Sequence, residues 1–180
     1  MKKTAIALLL VLILCVTGAA SCRSLMRTLY PHKYMDIVEK YSAQYAVDDD
    51  LIYAVIRTES SFRTHVNSDV GAAGLMQIMP ETFEWLCMRM GVQADFADLY
   101  EPDTAIRFGA YLLHLLIEEF GDTRTALAAY HAGRGQVGKW LQNEQFSSDG
   151  QTLTSIPFRD TAHYVQKVDR TIQIYKNLYA

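Results

Sequence analysis

The stretch Leu51–Pro80, LIYAVIRTESSFRTHVNSDVGAAGLMQIMP, decides how the rest of the chain is read. It opens with Leu51, Ile52, Val55 and Ile56 at helical spacing, behind the acidic run Asp48-Asp49-Asp50, which suits the start of a helix. The apolar face ends at Glu59, and Ser60, Ser61 and a polar loop come at once after it. A carboxyl group where an apolar helix meets a cleft is poorly solvated, and desolvation raises its pKa. A glutamate taken at random is more often a solvated surface residue, so its neighbours in the chain have to decide. The loop ends in Gly71-Ala72-Ala73-Gly74-Leu75-Met76-Gln77-Ile78-Met79-Pro80. Small residues let a backbone pass close to a neighbour, while Met and Gln supply an adaptable apolar contact and an amide.

Working outward, the pattern is helical almost throughout. A helix is predicted from about Lys33 to Tyr45, with Tyr34, Ile37, Val38, Tyr41 and Tyr45 on one side. Tyrosines at that spacing pack their rings in a core and wet their hydroxyls. Pro80-Glu81-Thr82 opens a helix that Gly91 stops after Met90, and Asp95–Tyr100 reads as a loop. Glu101-Pro102-Asp103 starts a long helix to Phe120, with proline near the first turn and acids at the positive end. A shorter helix covers Thr123–Ala132. Gly133, Gly135 and Gly138 then break the pattern before Val137, Trp140 and Leu141 resume it. Asn143–Pro157 is polar and loop-like, and a final helix runs from about Arg159 to Tyr179. The prediction is a mainly α chain with at most a small strand element between Arg63 and Ile78.

The 180 residues suit one domain. Residues 1–22 read as a signal or membrane anchor: Met1-Lys2-Lys3 gives a basic start, Thr4–Ala20 an apolar run, and Gly18-Ala19-Ala20-Ser21 a set of small residues. A cleaved signal, a retained anchor and a lipid on Cys22 all fit, although Ala19 stands where a lipoprotein signal usually has a larger aliphatic residue. Each of them exports the chain to the cell envelope. Residues 23–33 form a non-periodic connector carrying Pro31, and residues 34–180 the domain proper. Lys+Arg 17 against Asp+Glu 20 gives a net charge of −3, which leaves no basic footprint for nucleic acid. Three cysteines make no disulfide framework. Cys87 is expected as a small buried residue, with a Cys22–Cys87 pair as the open alternative.

Glu59-Ser60, Gly74-Leu75-Met76-Gln77 and Ala128-Ala129-Tyr130-His131-Ala132-Gly133, taken in order and at these separations, resemble the soluble, lysozyme-like lytic transglycosylases. The resemblance runs from about Tyr34 to the C-terminus. It implies a single domain of the goose-type lysozyme and transglycosylase fold, acting on the glycan strands of peptidoglycan as a monomer. It also implies one glutamate that first protonates the leaving glycosidic oxygen and then takes a proton from the C6 hydroxyl of the muramoyl ring, giving a 1,6-anhydro end. Glu59 matches that glutamate. Ser68, Met76 and Gln77 match groove residues that offer hydroxyl, thioether and amide groups to the sugars. Tyr130 matches a tyrosine near the catalytic acid, and Tyr164 an aromatic on the closing helix.

His131, beside Tyr130, is a candidate substrate contact where the family usually has Asn. If its side chain faces the groove, protonation below about pH 6.5 would place a cation near Glu59; if it points outward, only its backbone matters. The last motif, usually Glu-Thr-Arg-x-Tyr, here reads Asp160-Thr161-Ala162-His163-Tyr164, so the arginine is lost.

Glycosidic cleavage usually takes two carboxyl groups. Asp69 lies in a turn-like loop and Glu81 in a helix first turn, and neither setting demands catalysis. One acid is the economical reading. His32, His65, His114, His131 and His163 are not at metal-ligand spacings, and neither a phosphate loop nor a Ser or Cys nucleophile motif occurs, so no metal and no cofactor are predicted. Two alternatives stay open: a muramidase, in which water replaces the C6 hydroxyl, and a non-catalytic wall-binding module.

Overall fold

A computed structural model describes residues 2–179, except the side chains of residues 2–13, 16 and 19. The described chain forms α1 (Lys2–Leu29), α2 (Met35–Tyr45), α3 (Asp49–Glu59) and α4 (Pro80–Met90), then a short 3₁₀ turn over Phe96–Tyr100. It continues as α5 (Pro102–Phe120), α6 (Thr123–Ala132), α7 (Arg134–Leu141) and α8 (Arg159–Tyr179). The fold is mainly α, as the periodicity predicts.

The centre of the molecule is α3. Every residue from Leu51 to Ile56 is buried, so the helix is covered on all sides rather than along one stripe. Helix α8 runs along it, α5 packs between α2 and α6, and α6 also touches α7 and α8. Asp48 caps α3 by accepting from the Asp50 N–H at 2.9 Å. The tyrosine stripe of α2 turns inward at Tyr41, whose hydroxyl donates to Asp103 at 2.7 Å and so ties α2 to the first turn of α5.

The predicted strand element consists of two isolated antiparallel bridges, Asn67 with Ala73 and Ala73 with Ile78. They fold Gly74-Leu75-Met76-Gln77 into a tight turn, with Ala73 and Ile78 exchanging hydrogen bonds of 3.0 and 3.1 Å. Gly74 is required there. Its φ is +76°, and a Cβ would lie 2.0 Å from the Leu99 carbonyl oxygen.

The structure corrects three readings. Residues 23–29 are not irregular, because α1 continues through Leu29 and docks on α8: Arg23 donates to the Leu178 carbonyl at 3.0 Å. Beyond it, His32 stacks on Tyr179 and Tyr53 at ring separations of 3.5 and 4.2 Å, and Tyr179 donates to the Tyr30 carbonyl. The charged residues of 23–29 hide this helix from periodicity because its partner is another helix end. Within Asp95–Tyr100, a reciprocal capping box between Asp95 and Asp98 winds the supposed loop into a 3₁₀ turn. After Gly133, α7 begins at once and runs through Gly135 and Gly138, anchored by buried Val137 and Trp140.

The apolar run expected to export or anchor the chain lies in α1, mostly among side chains outside the described residues. Among those described, no helix is long and apolar enough to cross a membrane. Cys87 is half-buried, and both Cys22 and Cys87 are free thiols.

Candidate active site

Glu59 is the last residue of α3, at the point where the buried helix opens to the surface. Ser60, buried behind it, donates its hydroxyl back to the Ile56 carbonyl at 3.1 Å and closes the helix. Ser61 and Phe62 then adopt left-handed backbone angles, φ 53° and 63°, and Phe62 is buried. A bulky residue rarely takes that conformation. It turns the chain sharply away and leaves the Glu59 carboxyl at the helix end. Burial raises the Glu59 pKa to about 7, against smaller downward pulls from the Tyr164 hydroxyl and the Lys167 ammonium. Among the described residues, no other carboxylate acts on it.

Two tyrosines face this carboxyl from different helices. Tyr130, near the end of α6, donates its hydroxyl to the Met76 carbonyl at 2.7 Å. Tyr164, on the second turn of α8, is buried, and its hydroxyl makes no hydrogen bond of ordinary geometry. It lies close enough to the Glu59 carboxylate to act on it as a hydrogen-bond donor, which lowers the Glu59 pKa and raises that of the phenol. Burial first, and then the Glu59 charge, hold both phenols well above their usual pKa. Both stay protonated at any pH at which Glu59 titrates.

The turn residues are used differently from their family expectation. Gln77 has φ 48°, and its amide nitrogen donates to the Val66 and Gly74 carbonyls at 3.0 and 2.9 Å. Both amide hydrogens therefore clamp the loop, and the Oε1 acceptor is the group left for a ligand. Met76 is fully buried, so its thioether does not line a groove in this arrangement. It fills the notch at Gly109, where a Cβ would come 2.1 Å from the sulfur. Ser68 is half-buried, and its hydroxyl accepts from the Ala72 N–H at 2.9 Å to close the turn before the motif.

His131 leans on Tyr164, with ring centroids 4.5 Å apart, and its Nδ1 lies 3.1 Å from the Thr161 hydroxyl. Burial lowers its pKa, opposed by Asp160, and it does not act directly on Glu59. Glu59, Tyr130 and Tyr164 are thus brought together, and His131 supports Tyr164 from behind. Asp69 is exposed in its loop. Glu81 lines a cavity of about 260 Å³ beside Tyr130, with Trp85, Leu112 and Arg134 on its walls.

Residues 36–152, well over half of the chain, match the family described as the Transglycosylase SLT domain. The chain belongs to that family. The SLT assignment agrees with individual relatives. The soluble lytic murein transglycosylase of Salmonella typhimurium is 36% identical over 144 residues, covering 77% of this chain and 22% of the relative. The membrane-bound lytic murein transglycosylase C of Haemophilus ducreyi is 30% identical over 169 residues, covering 81% of this chain and 46% of the relative. Among solved structures, the 70-kDa soluble lytic transglycosylase of Escherichia coli superposes with a TM-score of 0.75 at 29% identity, over 84% of this chain and 25% of that one. This SLT chain therefore spans about a fifth of the length of the soluble relative.

Sequence reasoning missed Lys167. It sits one turn after Tyr164 on α8, and its ammonium approaches the Thr58 carbonyl at 3.4 Å. The i, i+3 spacing from Tyr164 was the available signal.

Proposed function

We propose that this chain is a peptidoglycan lytic transglycosylase that cleaves the β-1,4 bond from N-acetylmuramic acid to N-acetylglucosamine, leaving a 1,6-anhydro end. The observation that carries the reading is Glu59 itself, a lone carboxyl raised to about 7 with no carboxylate partner among the described residues. Near neutral pH such a group is populated in both forms, as a residue that acts first as acid and then as base requires.

In the first step the Glu59 carboxyl gives its proton to the glycosidic oxygen, the bond from that oxygen to C1 breaks, and the electron pair leaves with the oxygen. The neighbouring acetamido group of the muramoyl ring shields the developing positive charge at C1. In the second step the Glu59 carboxylate takes the C6 hydroxyl proton, and O6 forms the new bond to C1. Protons and charge balance without a protein nucleophile.

Ser68, Gln77 and Tyr164 offer hydroxyl and amide groups to the sugars, with Tyr130 holding the turn that presents them. His131 contributes by keeping Tyr164 in place. The N-terminal segment places the domain outside the cytoplasmic membrane, in the cell envelope, where glycan strands are its partners.

The test is Glu59→Gln, which keeps the shape and removes the proton. General acid–base catalysis is worth about 10²–10⁴-fold. A comparable loss of turnover on purified sacculi, with an unchanged circular dichroism spectrum, supports the role of Glu59. Near-full turnover sinks it.

A further inference from the structure

A second cavity, of about 370 Å³, lies between α3 and α8 and is lined by Tyr30, Arg57, Lys167, Arg170, Thr171 and Ile174. Three cations elsewhere meet acids: Lys40 pairs with Asp103, Arg134 with Glu119 and Lys176 with Asp48. Among the described residues, Arg57, Lys167 and Arg170 have no carboxylate at ion-pair distance. Their partners are neutral acceptors. Arg57 donates to the Leu29 carbonyl at 2.8 Å and to the Ser61 hydroxyl, Lys167 to the Thr58 carbonyl, and Arg170 to the Gln166 side chain at 3.4 Å. These contacts leave guanidinium and ammonium N–H groups unused. In a chain of net charge −3, one concave site has the opposite sign.

We propose that this cavity binds a carboxylate of the peptide stem carried by the muramoyl ring that is cut, an inference that rests on the transglycosylase reading above. The link to the reaction is Lys167. It borders the cavity, touches the carbonyl of the residue before Glu59, and acts on the Glu59 charge. The stem hangs from the lactyl ether of the same ring whose C1 reacts beside Glu59, and its amino-acid residues bear free carboxylates. A guanidinium fork pairs with a carboxylate through two parallel hydrogen bonds, and Arg57 and Arg170 supply two such forks. Bulk charge repels an anionic wall, so stem-bearing strands need a local cationic seat.

The experiment compares the full-length chain with Arg170→Glu on two substrates: glycan strands with intact peptide stems, and the same strands after an amidase has removed them. Arg170 is exposed and holds only Gln166, so the reversal leaves the fold intact. The wild type is expected to have the lower KM on stem-bearing strands. Arg170→Glu raises that KM roughly ten-fold, the scale of one charged hydrogen bond, with kcat and the KM for stripped strands unchanged. Equal KM ratios for the two proteins overturn the proposal. So does a variant that keeps the ratio but loses binding to phosphatidylglycerol vesicles, which would assign the cations to a membrane surface. Failure of the wild type to cut either substrate overturns the transglycosylase reading, and this inference with it.

Discussion

The Tyr130 hydroxyl donates to the main-chain carbonyl of Met76 at 2.7 Å, joining residues 54 positions apart. It fastens the end of α6 to the tight turn over residues 73–78, and its tyrosine feels the Glu59 charge. The turn is held from the other side by Gln77 on the Val66 and Gly74 carbonyls and from beneath by Met76 in the Gly109 notch. A site that must stabilise charge gains from donors and acceptors whose positions are fixed before substrate arrives.

Tyr130→Phe leaves the part-buried Met76 carbonyl without its donor. Stability is expected to fall by about 1–3 kcal/mol, the cost of an unsatisfied buried group. The raised Glu59 pKa comes from burial, opposed by Tyr164 and Lys167, and not from Tyr130. The midpoint of the pH–rate profile should therefore stay in place while the rate falls. Urea denaturation and a pH profile check the two halves. An unshifted urea midpoint would show that the bond contributes nothing.

Glu59 should also show itself in stability. Its folded pKa, about 7, lies above the ordinary 4.5. The unfolded chain therefore loses this proton more readily, and folding is penalised as pH rises. The penalty is absent below about pH 4.5, grows up to about pH 7 and is constant above it. At about 1.4 kcal/mol per unit, its upper limit is about 3 kcal/mol. Glu59→Gln removes the charge. The variant should melt higher than wild type at pH 8, and the two should converge near pH 4. Equal melting temperatures at both values would mean that the carboxyl is well solvated.

His131→Asn tests the pH role of the position that departs from the family pattern. For a groove-facing side chain the sequence leads one to expect a cation near Glu59 below about pH 6.5, and for an outward one no effect. In the structure burial moves the His131 pKa below 6.5, and the ring meets Tyr164 and Thr161 rather than Glu59. The two profiles should therefore superimpose from pH 6.5 upward and separate only on the acidic side. A separation centred between pH 6.5 and 7 would show that the imidazole titrates beside the carboxyl.

Periodicity accounts for the part of the fold that is legible in the sequence. The α3, α5 and α8 helices each bury many apolar residues, and α3 and α5 carry a cap, a proline or a glycine at their ends, so Glu59 could be placed at a helix end. The α1–α8 docking was not legible, because Arg23 and Arg27 reach a helix terminus and a ring that periodicity does not reveal. Motif residues give chemistry without direction. Gln77 and Met76 sit in the expected turn, yet one spends its amide nitrogen on the loop and the other its side chain on the core. Lys167 and Arg170 look like ordinary cations on a polar helix face, and only the approach of α3 makes them part of a cavity.

The most direct test of the central claim is mass spectrometry of the fragments released from purified sacculi. A lone Glu59 that hands the C6 oxygen to C1 predicts 1,6-anhydro-muramoyl ends from the wild type and none from Glu59→Gln. Reducing ends, heavier by one water, would contradict the intramolecular step and make the chain a muramidase. The absence of any cleavage by the wild type would contradict catalysis altogether and leave a module that only binds the wall.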